Sequence, residues 1–300
     1  ATAKADAEGH VTQELLDYYD ERTRGGYIGL VITEHSYISP EGKASEGQVS
    51  VSRDDDVEGL SRLAALIHKN GSRAILQMNH AGGKAKPEVT GCRVFGPSEV
   101  IVPRSEVMPE AMTEFIIDRV VEDFASAAAR VRAAGFDGVE IHSAHGYLLN
   151  QFFSPITNKR TDAYTGSSME GRLRLHLRVI EAVRKVVGPD FLVAMRLGAC
   201  DYLDGGITLE DSLSAAPLLE AAGIDLLDIS GGLSGYVIPG LTGQGFFREL
   251  TGPIRSRVHT GGITEPEAAD ELLSDGCADL IGVGRAIYKD PLWSKHAMER

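Results

Sequence analysis

Apolar runs of about seven residues recur along the chain, each opened by a glycine, at 25–32, 71–77, 135–141, 188–196, 223–230 and 276–284. Runs this short and this uniformly apolar fit parallel strands buried on both faces, and a glycine at the end of a helix supplies its left-handed stop. Between them the spacing turns helical. Ile117, Val120, Val121, Phe124, Ala128 and Val131 fall on one stripe. Ser167 with Glu170, Thr208 with Asp211 and Thr264 with Glu267 mark helix starts as capping boxes. Strand and helix alternating over 300 residues predict a parallel α/β fold. Six clear strands with room for two more favour a (β/α)8 TIM barrel over an open sheet. No GxGxxG turn follows the first strand, as an open dinucleotide-binding sheet would usually show.

Composition trims the function classes. The chain is 43% apolar and carries a net charge of −13, which argues against a nucleic-acid surface or an anionic membrane as partner. No apolar stretch reaches the ~20 residues of a membrane-spanning helix. Cys92, Cys200 and Cys277 stand far apart and form no zinc pattern, so no metal site is expected. They are expected as buried free thiols, which fits a cytoplasmic protein. No linker or low-complexity tract divides residues 1–300, so one domain is expected. Asp54-Asp55-Asp56 reads as a solvated helix start. Residues 84–109, rich in Pro and Gly, read as a loop excursion of the kind that is often functional.

The densest chemistry lies at 140–147, Glu-Ile-His-Ser-Ala-His-Gly-Tyr. Two imidazoles and a phenol gather just beyond a buried strand, where α/β barrels keep their catalytic groups. Taken alone, His142 and His145 also fit as hydrogen-bonded structural histidines.

This motif, with Leu149-Asn150-Gln151-Phe152-Phe153-Ser154-Pro155 and Thr157-Asn158-Lys159-Arg160-Thr161-Asp162 after it, resembles the Old Yellow Enzyme family of FMN-dependent ene reductases, in particular its dienoyl-CoA reductase-like bacterial branch. Gln77-Met78-Asn79-His80-Ala81-Gly82, Val193-Ala194-Met195-Arg196 and Gly282-Val283-Gly284-Arg285 extend the resemblance over nearly the whole chain. It implies FMN at the C-terminal mouth of the barrel and NADH or NADPH as reductant. Gln77, at the end of its strand, would pair with the flavin pyrimidine edge. Arg196, also at a strand end, would balance the negative charge of reduced flavin. Gly261, Gly262, Gly284 and Arg285 would hold the phosphate. His142 and His145 would bind the carbonyl oxygen of an α,β-unsaturated substrate, and Tyr147 would protonate its α-carbon. Glu140 and Ser143 read as structural, and His80 as a packing residue near the rim.

Departures from the family pattern qualify these expectations. The first barrel strand is expected to be missing ahead of Ala1, and Arg257-Val258-His259-Thr260 leaves almost no room for a later one. His35 stands where the family often has a small residue near the flavin. A truncated or degenerate flavin-binding barrel therefore stays open as an alternative, while the His-x-x-His-x-Tyr spacing argues against another class of FMN barrel. The substrate, the choice of nicotinamide and any homo-oligomeric state are not legible; residues 233–244, with 84–109, are the expected seat of substrate choice.

Overall fold

The computed structural model describes residues 2–254 and 257–299, with Arg257 as backbone only. Its strands are β1 (Leu30–Ile32), β2 (Ser36–Tyr37), β3 (Arg73–Asn79), β4 (Phe95–Gly96), β5 (Glu110–Ala111), β6 (Gly138–Ser143), β7 (Leu192–Cys200), β8 (Leu226–Gly231), β9 (Arg257–His259) and β10 (Leu280–Ile281). The helices that follow or flank them are α1 (Gln13–Thr23), α2 (Asp56–Lys69), α3 (Pro87–Thr90), α4 (Glu114–Ala133), α5 (Leu148–Phe153), α6 (Met169–Val187), α7 (Leu209–Ala222), α8 (Arg248–Thr251), α9 (Pro266–Ser274), α10 (Arg285–Lys289) and α11 (Trp293–Met298).

One parallel sheet runs β1-β3-β6-β7-β8-β9-β10, and β2 pairs with the same neighbour as β1. The sheet curls so that its two ends approach. Tyr18 of α1 lies 6.5 Å from Tyr288 of α10, and Arg22 donates to the Tyr288 carbonyl. The outer helices bury the stripes that their spacing promised. Ile117, Val120, Val121, Phe124, Ala128 and Val131 of α4 all turn inward, joined by Ala127.

Several expectations need correction. The residues thought to leave no room for a strand form β9. Three residues suffice there because they pair with neighbours on both sides, Asp228 with Val258 and Val258 with Leu280 among them. The adjoining residues 255–256 lie outside the described residues. β1 and β10 do not pair with each other among the described residues. The capping box at Thr208 and Asp211 forms with both arms made. However, α6 is capped by Ser168 rather than Ser167, and α9 starts at Pro266 with no side-chain cap from Thr264. Proline fits that first turn because its missing N–H has no helical partner to lose. Asp56 is buried instead of solvated, accepting from the Ser50 hydroxyl at 2.6 Å and the Arg53 amide at 2.9 Å. The three cysteines are free but half-buried. The 84–109 excursion is ordered by α3 and by β4 pairing with β5.

Candidate active site

Strand register sets the polar and charged residues of the barrel on two neighbouring rungs, two residues apart on β6. Gln77 lies opposite Glu140, His142 opposite Arg196, and Arg196 opposite Asp228. Glu140 and Asp228 are buried, and Gln77 spends one amide N–H on the Glu140 carboxyl. Burial pushes the Glu140 carboxyl up to about 8, with the Asp228 charge adding to the rise. Asp228 is raised too, burial outweighing the attraction of Arg196. Arg196 Nε stands 3.3 Å from an Asp228 oxygen, but without the geometry of a hydrogen bond. The guanidinium thus keeps donor capacity for something else in the mouth. Neither Gln77 nor Arg196 ends its strand as expected. β3 continues to Asn79 and β7 to Cys200, so both side chains sit slightly inside the mouth.

The turn after β6 is held from several directions. His145 and Gly146 both take left-handed backbone, with φ of 59° and 75°. A non-glycine residue there is strained and persists only where its surroundings fix it. The His145 amide donates to the Gly231 carbonyl, and Lys84 Nζ donates to the His145 carbonyl at 2.7 Å. Asn150 accepts from the Gly146 amide at 2.7 Å. Gln151, fully buried, donates to the carbonyls of Ala81 and Gly146 and accepts from the Gly83 amide. One side chain therefore ties this turn to the segment after β3. Replacing it in Gln151→Ala would strand three buried backbone groups, each worth about 1–3 kcal/mol when left unpaired. A loss of more than about 2 kcal/mol in urea unfolding is expected. A smaller loss would mean that the turn holds itself.

Three side chains converge as a result. The His142 and Tyr147 rings meet edge to face at 5.0 Å, and the His142 and His145 rings also at 5.0 Å. Burial holds both imidazoles well below the usual 6.5, and each feels nearby positive or titratable groups that lower it further. They are therefore neutral. His142 Nδ1 accepts from the Ala144 amide at 3.2 Å, which fixes the ring proton on Nε2. His145 Nε2 contacts the Ser230 hydroxyl at 2.8 Å, leaving Nδ1 for a ligand. Burial raises the Tyr147 phenol above 10.0, so it keeps its proton. Tyr236, exposed on the 233–244 loop, covers His145 at 5.4 Å. Asp201 anchors that loop, accepting from the Leu233 amide at 2.7 Å and the Ser154 hydroxyl at 2.6 Å.

Gly261 and Gly262 follow β9, with φ of 119° and 73°, and Gly284 and Arg285 follow β10 beside it. A Cβ at Gly284 would meet nothing within 4 Å, whereas one at Gly262 would fall 2.3 Å from the Gly243 carbonyl. The Arg285 guanidinium lies 5.9 Å from the Phe246 ring centre.

Comparison with known proteins shows the family. The model of the NADH:flavin oxidoreductase / NADH oxidase family matches residues 1–300. The chain belongs to that family. It is 37% identical over 310 residues to an NADH oxidase of Thermoanaerobacter brockii, covering all of this chain and 47% of that one. To an NADPH dehydrogenase of Bacillus subtilis (strain 168) it is 35% identical over 303 residues, covering 98% and 86%. Among solved structures, a 2-naphthoyl-CoA reductase complexed with 2-naphthoyl-CoA superposes with TM-score 0.93 at 28% identity, over all of this chain and 49% of that one. Morphinone reductase in complex with tetrahydroNAD gives 0.84 at 26%, over 99% and 84%. The chain thus spans about half the length of the NADH oxidase and of the naphthoyl-CoA reductase chain. Family membership makes the fold a TIM barrel, and the family is one of NAD(P)H-linked flavin oxidoreductases that use FMN.

The residues present fit FMN. A guanidinium not engaged in hydrogen bonding beside His142 suits an anionic ring edge, and open space above Gly284 next to the Gly261-Gly262 turn suits a phosphate. Sequence reasoning missed Asp228, Asp201 and Lys84. Asp228 had a signal, a lone carboxylate inside an apolar run; Lys84 and Asp201 had none.

Proposed function

We propose that the chain, as one flavin-binding barrel, reduces the C=C bond of small α,β-unsaturated carbonyl compounds in the cytoplasm. The neutral His142 ring, with the neutral His145 imidazole and the protonated Tyr147 phenol each centred 5.0 Å from it, carries this reading. His142 Nε2–H and His145 receive the carbonyl oxygen and stabilise the enolate that develops there, a role typically worth 10²–10³ in rate per donor, as an order of magnitude. FMN, when bound, supplies the hydride taken up at the β-carbon, and NAD(P)H replenishes it. Tyr147 delivers its proton to the α-carbon. Gln77 and Arg196 hold the flavin ring; Gly261, Gly262, Gly284 and Arg285 hold its phosphate. The cytoplasmic setting is supported by three unpaired thiols.

The test is a visible-absorbance titration of the protein with FMN, followed by a phenol and then by NADPH with 2-cyclohexenone. Flavin uptake, a long-wavelength band with phenol and consumption of the enone are expected. Flavin uptake without band or enone turnover would favour a binding barrel that lacks alkene chemistry.

The charge states set a pH expectation. His142 and His145 stay neutral through pH 6.5, and Tyr147 stays protonated to above pH 10.0. Lys84 and Glu140 both titrate near about 8, and a neutral Lys84 amine still donates to His145. A single-turnover pH profile of enone reduction should therefore lack a limb near 6.5, with any inflection near 8. A limb at 6.5 would show that one imidazole acts as its cation.

A further inference from the structure

His35 is turned into the mouth by an irregularity in the sheet. Ile32 pairs with Ile75 and Ser36 with Met78. Three residues, Thr33 to His35, thus lie across from two, Leu76 and Gln77. One extra residue makes a bulge between β1 and β2, and bulges beside active sites re-aim side chains. The His35 ring comes to 5.3 Å from Tyr147 and 6.0 Å from His142.

A second residue fixes its proton. Gln48 is fully buried, and its Oε1 accepts from the Ala44 amide at 2.7 Å. Its amide nitrogen is therefore the group facing His35, donating to the His35 carbonyl at 3.1 Å and to Nδ1 at 2.8 Å. With Nδ1 accepting, the neutral ring must carry its hydrogen on Nε2. Burial pulls the imidazole down to about 3, with Arg196 lowering it further, so it stays neutral at working pH. No described group accepts from Nε2. His35 is half-buried, so an N–H aimed by the buried Gln48 amide and held beside Tyr147 and His142 is open to a ligand in the mouth.

We propose that His35 Nε2–H is a third substrate-side donor, beside His142 and His145, and selects ligands that carry a second acceptor atom besides the carbonyl oxygen. The proposal rests on the alkene-reductase reading of the same mouth. The substrate class it implies is an unsaturated carbonyl bearing a further carbonyl, ester or carboxylate oxygen, rather than a simple enone.

Phenols that occupy the carbonyl site serve as probes. With FMN-loaded protein, the long-wavelength band reports Kd for 3- and 4-hydroxybenzaldehyde, which offer a second acceptor, and for 3- and 4-methylphenol, which do not. The formyl group also makes the phenol more acidic, so the quantity compared is the formyl-to-methyl preference across variants. His35→Phe, which keeps a ring but no donor, should lower that preference about three- to ten-fold for at least one isomer, the range of one net hydrogen bond. His35→Gln, which restores an N–H, should recover part of it. Equal preference in wild type and His35→Phe overturns the proposal while leaving the reductase reading intact. So does an unchanged preference with a shifted flavin midpoint potential, since the donor would then face the cofactor. Absence of a phenol band in wild type sinks both readings together.

Discussion

Tyr147→Phe is expected to slow alkene reduction about 100-fold or more, the usual contribution of a positioned general acid. The change removes one oxygen and keeps the ring that packs against His142 and His35. The imidazole donors and their tautomers should therefore survive. Rapid mixing of photoreduced protein with 2-cyclohexenone isolates the step, because it bypasses nicotinamide. Mixing oxidised protein with NADPH gives the other half-reaction, which should stay within about two-fold of wild type, since no proton from Tyr147 enters it. Loss in both halves would mean that the substitution disturbs the mouth as a whole. Unchanged enone reduction would move the proton to solvent or another residue. The burial that raises the Tyr147 phenol makes it a weaker acid at rest. Its proton becomes easy to give only when carbanion character builds on a carbon held against it.

The sequence carried the fold because a parallel barrel writes itself in a simple code. Each buried strand is a short apolar run, each helix has a striped face, and glycines mark the joints. Five of the six runs read from the pattern overlap β3, β6, β7, β8 and β10, and the sixth contains β1. β9 escaped because three residues with one large apolar side chain make no visible run; it is a strand through pairing on both sides, which is long-range information. The same division holds at the site. His142, His145 and Tyr147 share one short segment, so their convergence follows from local chain geometry. What supports them lies far away in sequence. Lys84 reaches His145 across 61 residues, Ser230 across 85, and Gln151 reaches Ala81 across 70. His35 was visible as a departure from a pattern, but its bulge and its Gln48 clamp exist only in three dimensions. The His142 proton is set locally, by the Ala144 amide two residues on, whereas the His35 proton is set by Gln48, 13 residues away.

Arg196→Met is expected to have the largest effect on stability, and to show it as a dependence on pH. Arg196 is the cation beside two buried carboxyls, Glu140 and Asp228. Removing one partner from a buried charge cluster typically costs about 3–5 kcal/mol, because the remaining charge is left uncompensated. Here the carboxyls have an escape, since each can take up a proton. Burial already raises both in the folded state, Glu140 to about 8 against an ordinary 4.5. The folded protein therefore holds more protons than the unfolded chain across that window. Stability from these groups is present below about 4.5 and is lost as pH rises through about 8. Without Arg196 their folded-state values should climb further and the loss should steepen. Urea unfolding at pH 6 and at pH 8.5 should then show a small deficit for Arg196→Met at the lower pH and a larger one at the higher. The double variant with Glu140→Gln, neutral at both, should recover much of the difference. A deficit independent of pH would mean that Arg196 stabilises the barrel by packing rather than by charge. Flavin affinity should fall in the variant at either pH if Arg196, whose Nε makes no hydrogen bond to Asp228, holds the ring as proposed.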